Sequence, residues 1–280
     1  MTLSTYRKYI VNSLMANSRF EYVKDFERDT VLLPDTFLVV RVDGKGFHKF
    51  SEEYGFEKPN DLRALSVMNR AATNVMRDFP DILMSYGDSD EYSFLLKRKC
   101  RLFDRREMKL VSTFASFMSV NYFLEWNAEF TDRPIRGTRL PTFDARVVVY
   151  PSGNHIRDYF SWRQVDCHIN NLYNTVFWKL VLEGKLSGKE AENRLIGTVS
   201  SDKNEILFKE YGINYNNELE IFKKGTVIVR DYDYSQDKEN LSKRQSQRQE
   251  KVRRKAFLKE LYVDIVRDDF WSNHPWILNS

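Results

Sequence analysis

The chain has 280 residues, with 44 Lys and Arg against 40 Asp and Glu, a formal charge of +4 at pH 7. Apolar residues at 42% and charged residues at 30% suit a folded protein with a sizeable core and exclude a disordered chain. No apolar run approaches ~18 residues, which excludes a membrane-spanning helix, and Cys100 and Cys167 alone build neither a disulfide framework nor a zinc site, as in a reduced intracellular compartment.

The first 14 residues carry Arg7 and Lys8 but no acid and no apolar secretory core. They read as a leader, an upstream start ahead of Met15, or a loose end. From Phe37 to Asp43 an almost unbroken apolar run predicts a strand covered on both faces, closed by Gly44 and Gly46. Asn60-Asp61 offers an N-cap, and Leu65, Met68, Ala72, Val75 and Phe79 follow at helical spacing until Pro80. Ile82 to Tyr86, a turn at Gly87-Asp88-Ser89, and Glu91 to Leu96 predict a hairpin. Asp104 and Glu107 form a capping-box pattern, which puts Arg105 and Arg106 in a helix's first turn. The stripe Val111, Phe114, Ala115, Met118 and Tyr122 follows, and Phe143 to Tyr150 predicts a further strand. The order is β-α-β-β-α-β, a ferredoxin-like α+β arrangement.

Beyond Pro151 the pattern turns mostly helical, over 154–182, 187–198 and 201–211, with a late strand at 226–229. Ser235 to Gln249 is compositionally biased and is predicted to be mobile or ordered by a ligand. Three units follow: an extension over 1–14, a catalytic domain over 15–150, and a helical region over 151–280 packed on it.

In such a sheet the first and third strands are antiparallel neighbours, so Asp43 and Asp90 meet at one sheet edge. Either acid alone reads as ordinary decoration of a strand end. Paired beside Gly44, they repel unless a cation sits between them. Hard oxygen donors suit Mg²⁺ completed by substrate phosphates. Asp88 reads as a turn former, and alternation turns Glu91 to the sheet face opposite Asp90. Asp43-Gly44-Lys45-Gly46 matches neither Walker nor Rossmann glycine pattern, which excludes the commonest nucleotide-binding frameworks.

Arg41 and His48 flank the acidic loop. Arg105, Arg106 and Lys109 stand against the helix dipole, either for an anionic ligand or as indifferent surface. The basic run 97–109 and the stretch 242–255, with seven basic residues against Glu250, are solvated surface or a phosphate-tracking patch. His168 and Asn171, in the Asn-rich segment 167–174, either read RNA bases or form a polar core network; Asn214 opens a second such cluster.

Several stretches resemble the tRNA-His guanylyltransferase family in order and at length. They are Met15-Ala16-Asn17-Ser18-Arg19-Phe20-Glu21-Tyr22, Arg41-Val42-Asp43-Gly44, Gly87-Asp88-Ser89-Asp90-Glu91-Tyr92-Ser93-Phe94, His168 to Thr175, and Asp202 to Leu207. The resemblance implies a palm-like domain similar to polymerases and nucleotidyl cyclases, in a homotetramer that is cytoplasmic or nuclear, with mitochondrial targeting by 1–14 left open. It implies one GMP added to the 5′ end of tRNA-His, with ATP and GTP as substrates and two Mg²⁺ ions. By position, Asp43, Gly44 and Asp90 then look like metal ligands, and Asp43, Asp90 and Glu91 like catalytic residues. Asp43 to His48 (Asp43, Gly44, Lys45, Gly46, Phe47, His48), with Ser89 and Asp90, resembles the nucleotide site, extended by Arg41, Lys58, Asp61, Arg106 and Lys109. His168, Asn171, Lys203 and Asn214 fall on tRNA-handling positions. Two alternatives stand beside this one: another palm-type nucleotidyl enzyme such as a cyclase, and a tRNA-binding protein without catalysis.

Overall fold

Phe37, Leu38, Val39, Val40 and Val42 are almost wholly buried, so strand β1 (Phe37–Gly44) is covered on both faces, as its apolar run predicts. The computed structural model describes residues 18–137, 139–232, 234 and 241–279. The expectations for 1–14, for Met15-Ala16-Asn17 and for 235–240 lie outside these.

Helices α1 (Phe47–Glu53) and α2 (Leu62–Asp78) follow β1, and the hairpin is β2 (Ile82–Asp88) with β3 (Glu91–Leu96). Helix α3 (Glu107–Glu129) and β4 (Phe143–Tyr150) complete the β-α-β-β-α-β unit. Asp61 caps α2 as predicted: its Oδ1 accepts the Ala64 N–H at 3.0 Å and its Oδ2 the Glu57 N–H at 3.1 Å. The later strands are β5 (Thr226–Arg230) and β6 (Leu258–Leu261). All pairings are antiparallel, in the order β4-β1-β3-β2-β5-β6. The first four strands make the ferredoxin-like sheet. The last two extend it, so the region after Pro151 shares the sheet as well as packing on it.

One sheet face carries α1, α2 and α3, whose Val67, Phe114, Tyr122 and Trp126 bury against Val40, Val42 and Phe94. The other carries the first half of α4 (Gly153–Leu182), with Ile156, Tyr159, Phe160 and Cys167 against Phe37, Val39 and Tyr86. The second half of α4 forms a separate small core with α5 (Gly188–Leu195) and α6 (Ser200–Tyr211) through Leu172, Val176, Leu195 and Leu207. Helix α4 thus runs from the sheet onto the helical layer and forms a wall between them.

The capping box at Asp104 does not form. Phe103, Asp104 and Arg105 all have positive φ in a tight 3-10 turn, and the N-cap of α3 is Arg106, without a side-chain cap. Arg105 instead turns inward, donating to the Leu33 carbonyl at 2.5 Å and to those of Thr36 and Cys100 at 3.1 Å. The buried stripe of α3 runs through Leu110, Phe114, Met118, Tyr122 and Trp126; Val111 and Ala115 flank it half-buried. The described part of the biased segment is also ordered. Ser242 caps α8 (Lys243–Lys255), accepting from Gln245 N while Gln245 reaches back to the cap. Helices α7 (Glu220–Lys224), α9 (Asp268–Asn273) and α10 (Trp276–Asn279) complete the described chain. Among the described residues no helix is long and apolar enough to cross a membrane.

Candidate active site

Asp43, next to last in β1, lies directly opposite Glu91 in the ladder, and the Gly44 N–H donates to the Asp90 carbonyl at 3.1 Å. The hairpin turn is Ser89-Asp90; Gly87 and Asp88 still belong to β2, so Asp88 is a strand residue rather than a turn former. Ser89 adopts φ +55°, and its hydroxyl donates to Asp90 Oδ1 at 3.1 Å. Gly44 is required here. A Cβ on it would stand 2.3 Å from the Phe47 ring and 2.9 Å from Asp90 Oδ2. The missing side chain lets Phe47 pack under the loop and lets the Asp90 carboxylate reach the end of β1.

These tips open into a cavity of about 640 Å³ between the hairpin, the α1–α2 loop and α4. Its lining holds the carboxylates of Asp43, Glu57, Asp61, Asp88, Asp90 and Glu91, with Lys58 and Arg163 as the fixed cations. Burial, and then the Asp43 charge, raise the Asp90 carboxyl above its ordinary range. Burial pushes Asp88 up to about 6, with the Cys167 thiol and Arg163 pulling it back. The site therefore gathers negative charge that its own cations do not balance.

Glu91 faces α4, where Arg163 Nε lies 2.8 Å from Oε1 and Arg41 Nε lies 3.5 Å from Oε2. This fits the strand alternation and gives Glu91 a partner set of its own. It holds two arginines at the cavity wall, and Arg163 also meets Asp166 at 3.2 Å. Among the described residues no three His, Cys, Asp or Glu side chains converge as a metal cage. Two carboxylates, those of Asp43 and Asp90, are what β1 and the hairpin present here, hard oxygen donors that suit Mg²⁺ finished by phosphate oxygens.

Of the other sequence candidates, Gly46, Phe47, His48, Ser89, Lys58 and Asp61 line the cavity. Lys58 Nζ lies 5.4 Å from the Trp178 ring across it. Lys45 is exposed outside the lining, and Arg41 reaches the cavity only through Glu91. Arg106 and Lys109 are not brought to it. They lie 16 and 13 residues before Tyr122, the α3 residue in the cavity lining, or about 24 and 20 Å along the helix. Arg106 pairs with Asp29 at 3.4 Å and Lys109 sits over Phe103.

Asn171 lines the cavity but donates to Tyr215 OH at 2.9 Å, as a polar core network requires. His168 lies on the exposed side of α4 against Tyr215, its pKa lowered by burial and by Lys223. Lys203 donates to the Thr198 carbonyl and faces Tyr173, and Asn214 caps a 3-10 turn; neither enters the cavity. The cavity also uses Asn69 and Trp178, which sequence reasoning did not single out, and Asn60, Tyr173 and Thr226, which it read only as part of a helix cap, of the Asn-rich segment and of a late strand. The long apolar–polar mixture of α4 does not disclose which face looks inward.

The two cysteines have no role in this chemistry. Burial raises both thiols, Cys100 up to about 12 and Cys167 further, with Asp81 and Asp88 respectively adding to it. Iodoacetamide is expected to leave both unmodified in the native protein at neutral pH and to label both in denaturant, as read by intact mass.

The family model described as tRNAHis guanylyltransferase matches residues 20–151, and the one described as Thg1 C terminal domain matches residues 154–267. A tRNA(His) guanylyltransferase of Debaryomyces hansenii is 72% identical over 264 residues, which span 94% of this chain and all of that one. The chain belongs to the tRNA(His) guanylyltransferase family. It is therefore a nucleotidyltransferase. The crystal structure of the Saccharomyces cerevisiae member, 50% identical, superposes with a TM-score of 0.74 over 76% of this chain and 94% of that one. A bacterial Thg1-like protein solved in complex with ATP is 20% identical and shares the fold, with a TM-score of 0.69 over 92% and 97% of the two chains. The palm-like α+β architecture is that of the family.

Proposed function

We propose that this chain adds one GMP to the 5′ end of tRNA-His, in the direction opposite to ordinary polymerases. An oxygen of the tRNA 5′-phosphate attacks the α-phosphorus of ATP and expels pyrophosphate. The 3′-hydroxyl of GTP then attacks the activated 5′-phosphorus and expels AMP, and hydrolysis removes pyrophosphate from the new 5′ end. Such chemistry asks a protein mainly for positioning and charge stabilisation.

The observation that supports this most is the meeting of Asp43 and Asp90 at adjoining strand tips, in a cavity lined by an excess of carboxylates. A polyanionic nucleotide enters such a site only with cations. Asp43, Asp90 and the Gly44 carbonyl fit two Mg²⁺ ions, which when bound neutralise phosphate charge and favour an ionised hydroxyl. The chain's own contribution is orientation. Ser89 holds the Asp90 carboxylate, the buried Phe47 closes the floor of the loop, and Arg163 with Arg41 keeps Glu91 against α4. Lys58, the half-buried cation of the cavity beside Trp178, is placed for a phosphate.

The same proposal takes the enzyme as a homotetramer. Trp162, Val165 and Ile169, exposed along one side of α4, are apolar surface for a second copy to cover.

The deciding experiment incubates 5′-monophosphorylated tRNA-His transcript with ATP, α-labelled GTP and Mg²⁺ and maps the labelled end. Label at the 5′ end that depends on ATP is expected. Label at the 3′ end, or a cyclic product from GTP alone, overturns the proposal.

A further inference from the structure

The two basic clusters of the sequence, 145 residues apart, converge on one carboxylate. Asp81 Oδ1 lies 3.0 Å from Lys97 Nζ and 2.7 Å from Arg253 Nη1. Asp81 precedes β2 and Lys97 follows β3, so both stand at the open end of the hairpin. Seven strand residues, about 20 Å, separate that end from the Ser89-Asp90 turn.

Helix α8 is docked there by its buried Arg253. At about 100° per residue, Arg244, Arg248, Lys251 and Lys255 fall within an arc of about 60°, on the side away from Arg253. All four are exposed, and among the described residues no acid pairs with them; Glu250 is engaged by Arg254 at 3.0 Å. The stripe works against its own helix. Successive members are i,i+3 or i,i+4 like-charge neighbours, each pair destabilising, and Arg244 sits in a first turn that holds no acid. An anionic partner offsets both.

The stripe contains no apolar side chain, which an interfacial membrane helix needs. Its four cations are spread over 11 residue steps, about 16 Å, at intervals of about one turn. That is a linear array suited to a run of phosphates rather than to one small anion.

We infer that α8 is an RNA-tracking surface that grips the phosphate backbone of the tRNA substrate away from its reacting 5′ end. It rests on the proposal that the substrate is tRNA. Phosphate contacts position without reading sequence, so this surface sets affinity and register while the cavity performs the chemistry.

The test is a triple variant, Arg248→Gln, Lys251→Gln and Lys255→Gln, titrated against tRNA-His and an unrelated tRNA transcript over a range of salt. Affinity is expected to fall about 30-fold near physiological salt for both RNAs, and the slope of log Kd against log salt to shrink by about 2 to 3. The charge-keeping set Arg248→Lys, Lys251→Arg and Lys255→Arg is expected to hold the parent slope, and thermal melting checks that each variant is folded. A parental affinity and slope in the folded triple variant overturns the inference. So does a loss confined to tRNA-His, or a loss of binding to phosphatidylserine vesicles with RNA affinity intact. These outcomes leave the catalytic proposal standing, because that falls only if the parent fails to label the tRNA 5′ end.

Discussion

Asp90→Asn is expected to slow guanylyl transfer about 10³-fold or more while tRNA affinity stays within about twofold of the parent. The Asp90 carboxylate is half-buried beside Asp43, and burial and then the Asp43 charge already raise its pKa. A protein keeps two such groups together at a strand tip against their repulsion when a cation is the third member. The amide retains the hydrogen bond from Ser89 and the packing against Gly44, so loss of charge is what the substitution measures. Asp43→Asn is expected to behave alike. Glu91→Gln tests a different contact, because it loosens Arg41 and Arg163 at the α4 wall. Single-turnover labelling of tRNA-His with saturating nucleotides and Mg²⁺ separates these variants. Substantial labelling by Asp90→Asn removes the cation assignment.

Much of the palm was legible because its signals are local. The unbroken apolar run of β1 and the Asp61 cap each encode an element within a few residues, and both form as read. The meeting of Asp43 with Asp90 followed from strand order alone. Failure came where local pattern and tertiary demand diverge. Asp104 and Glu107 have the spacing of a capping box, but Arg105 must turn inward to satisfy the Leu33, Thr36 and Cys100 carbonyls, and the backbone enters the left-handed region to allow it. No sequence window contains those carbonyls.

Helix α8 escaped notice for the opposite reason. Its buried residue is an arginine, so the 3.6-residue period has no apolar members to reveal it. Edge strand β6, Leu258-Lys259-Glu260-Leu261, is short and half charged, and it forms because β5 offers a partner. The cavity wall divides along the same line. Residues beside the acidic motifs were found by proximity in sequence, whereas Asn69, Trp178 and Thr226 come from three elements that only the fold assembles. Arg106 and Lys109 show the converse. They are close to the motifs in chain order and stand far from the cavity in space.

Arg230→Ala is expected to destabilise the protein by about 3 to 5 kcal/mol, the largest stability loss anticipated for a residue outside the hydrophobic core. Arg230 closes β5 with no exposed surface. Its guanidinium donates to the Met76 carbonyl of α2, to Arg253 O of α8 at 3.0 Å and to Ile82 O of β2 at 3.4 Å. Two consecutive elements, α2 and β2, and the distant α8 thus share one guanidinium. Burial lowers the pKa of this guanidinium, so the charge is kept at a cost that these carbonyls offset. Truncation leaves them unpaired beside a cavity; Arg230→Met fills the space and removes the buried charge, and is expected to lose less than the alanine variant. Urea denaturation ranks the two. Because Arg230 also holds the backbone of α8 at Arg253, limited trypsinolysis is expected to cut the alanine variant within 244–255 before the parent. Equal protection of that segment in both proteins would show that α8 stays docked without the Arg230 contact.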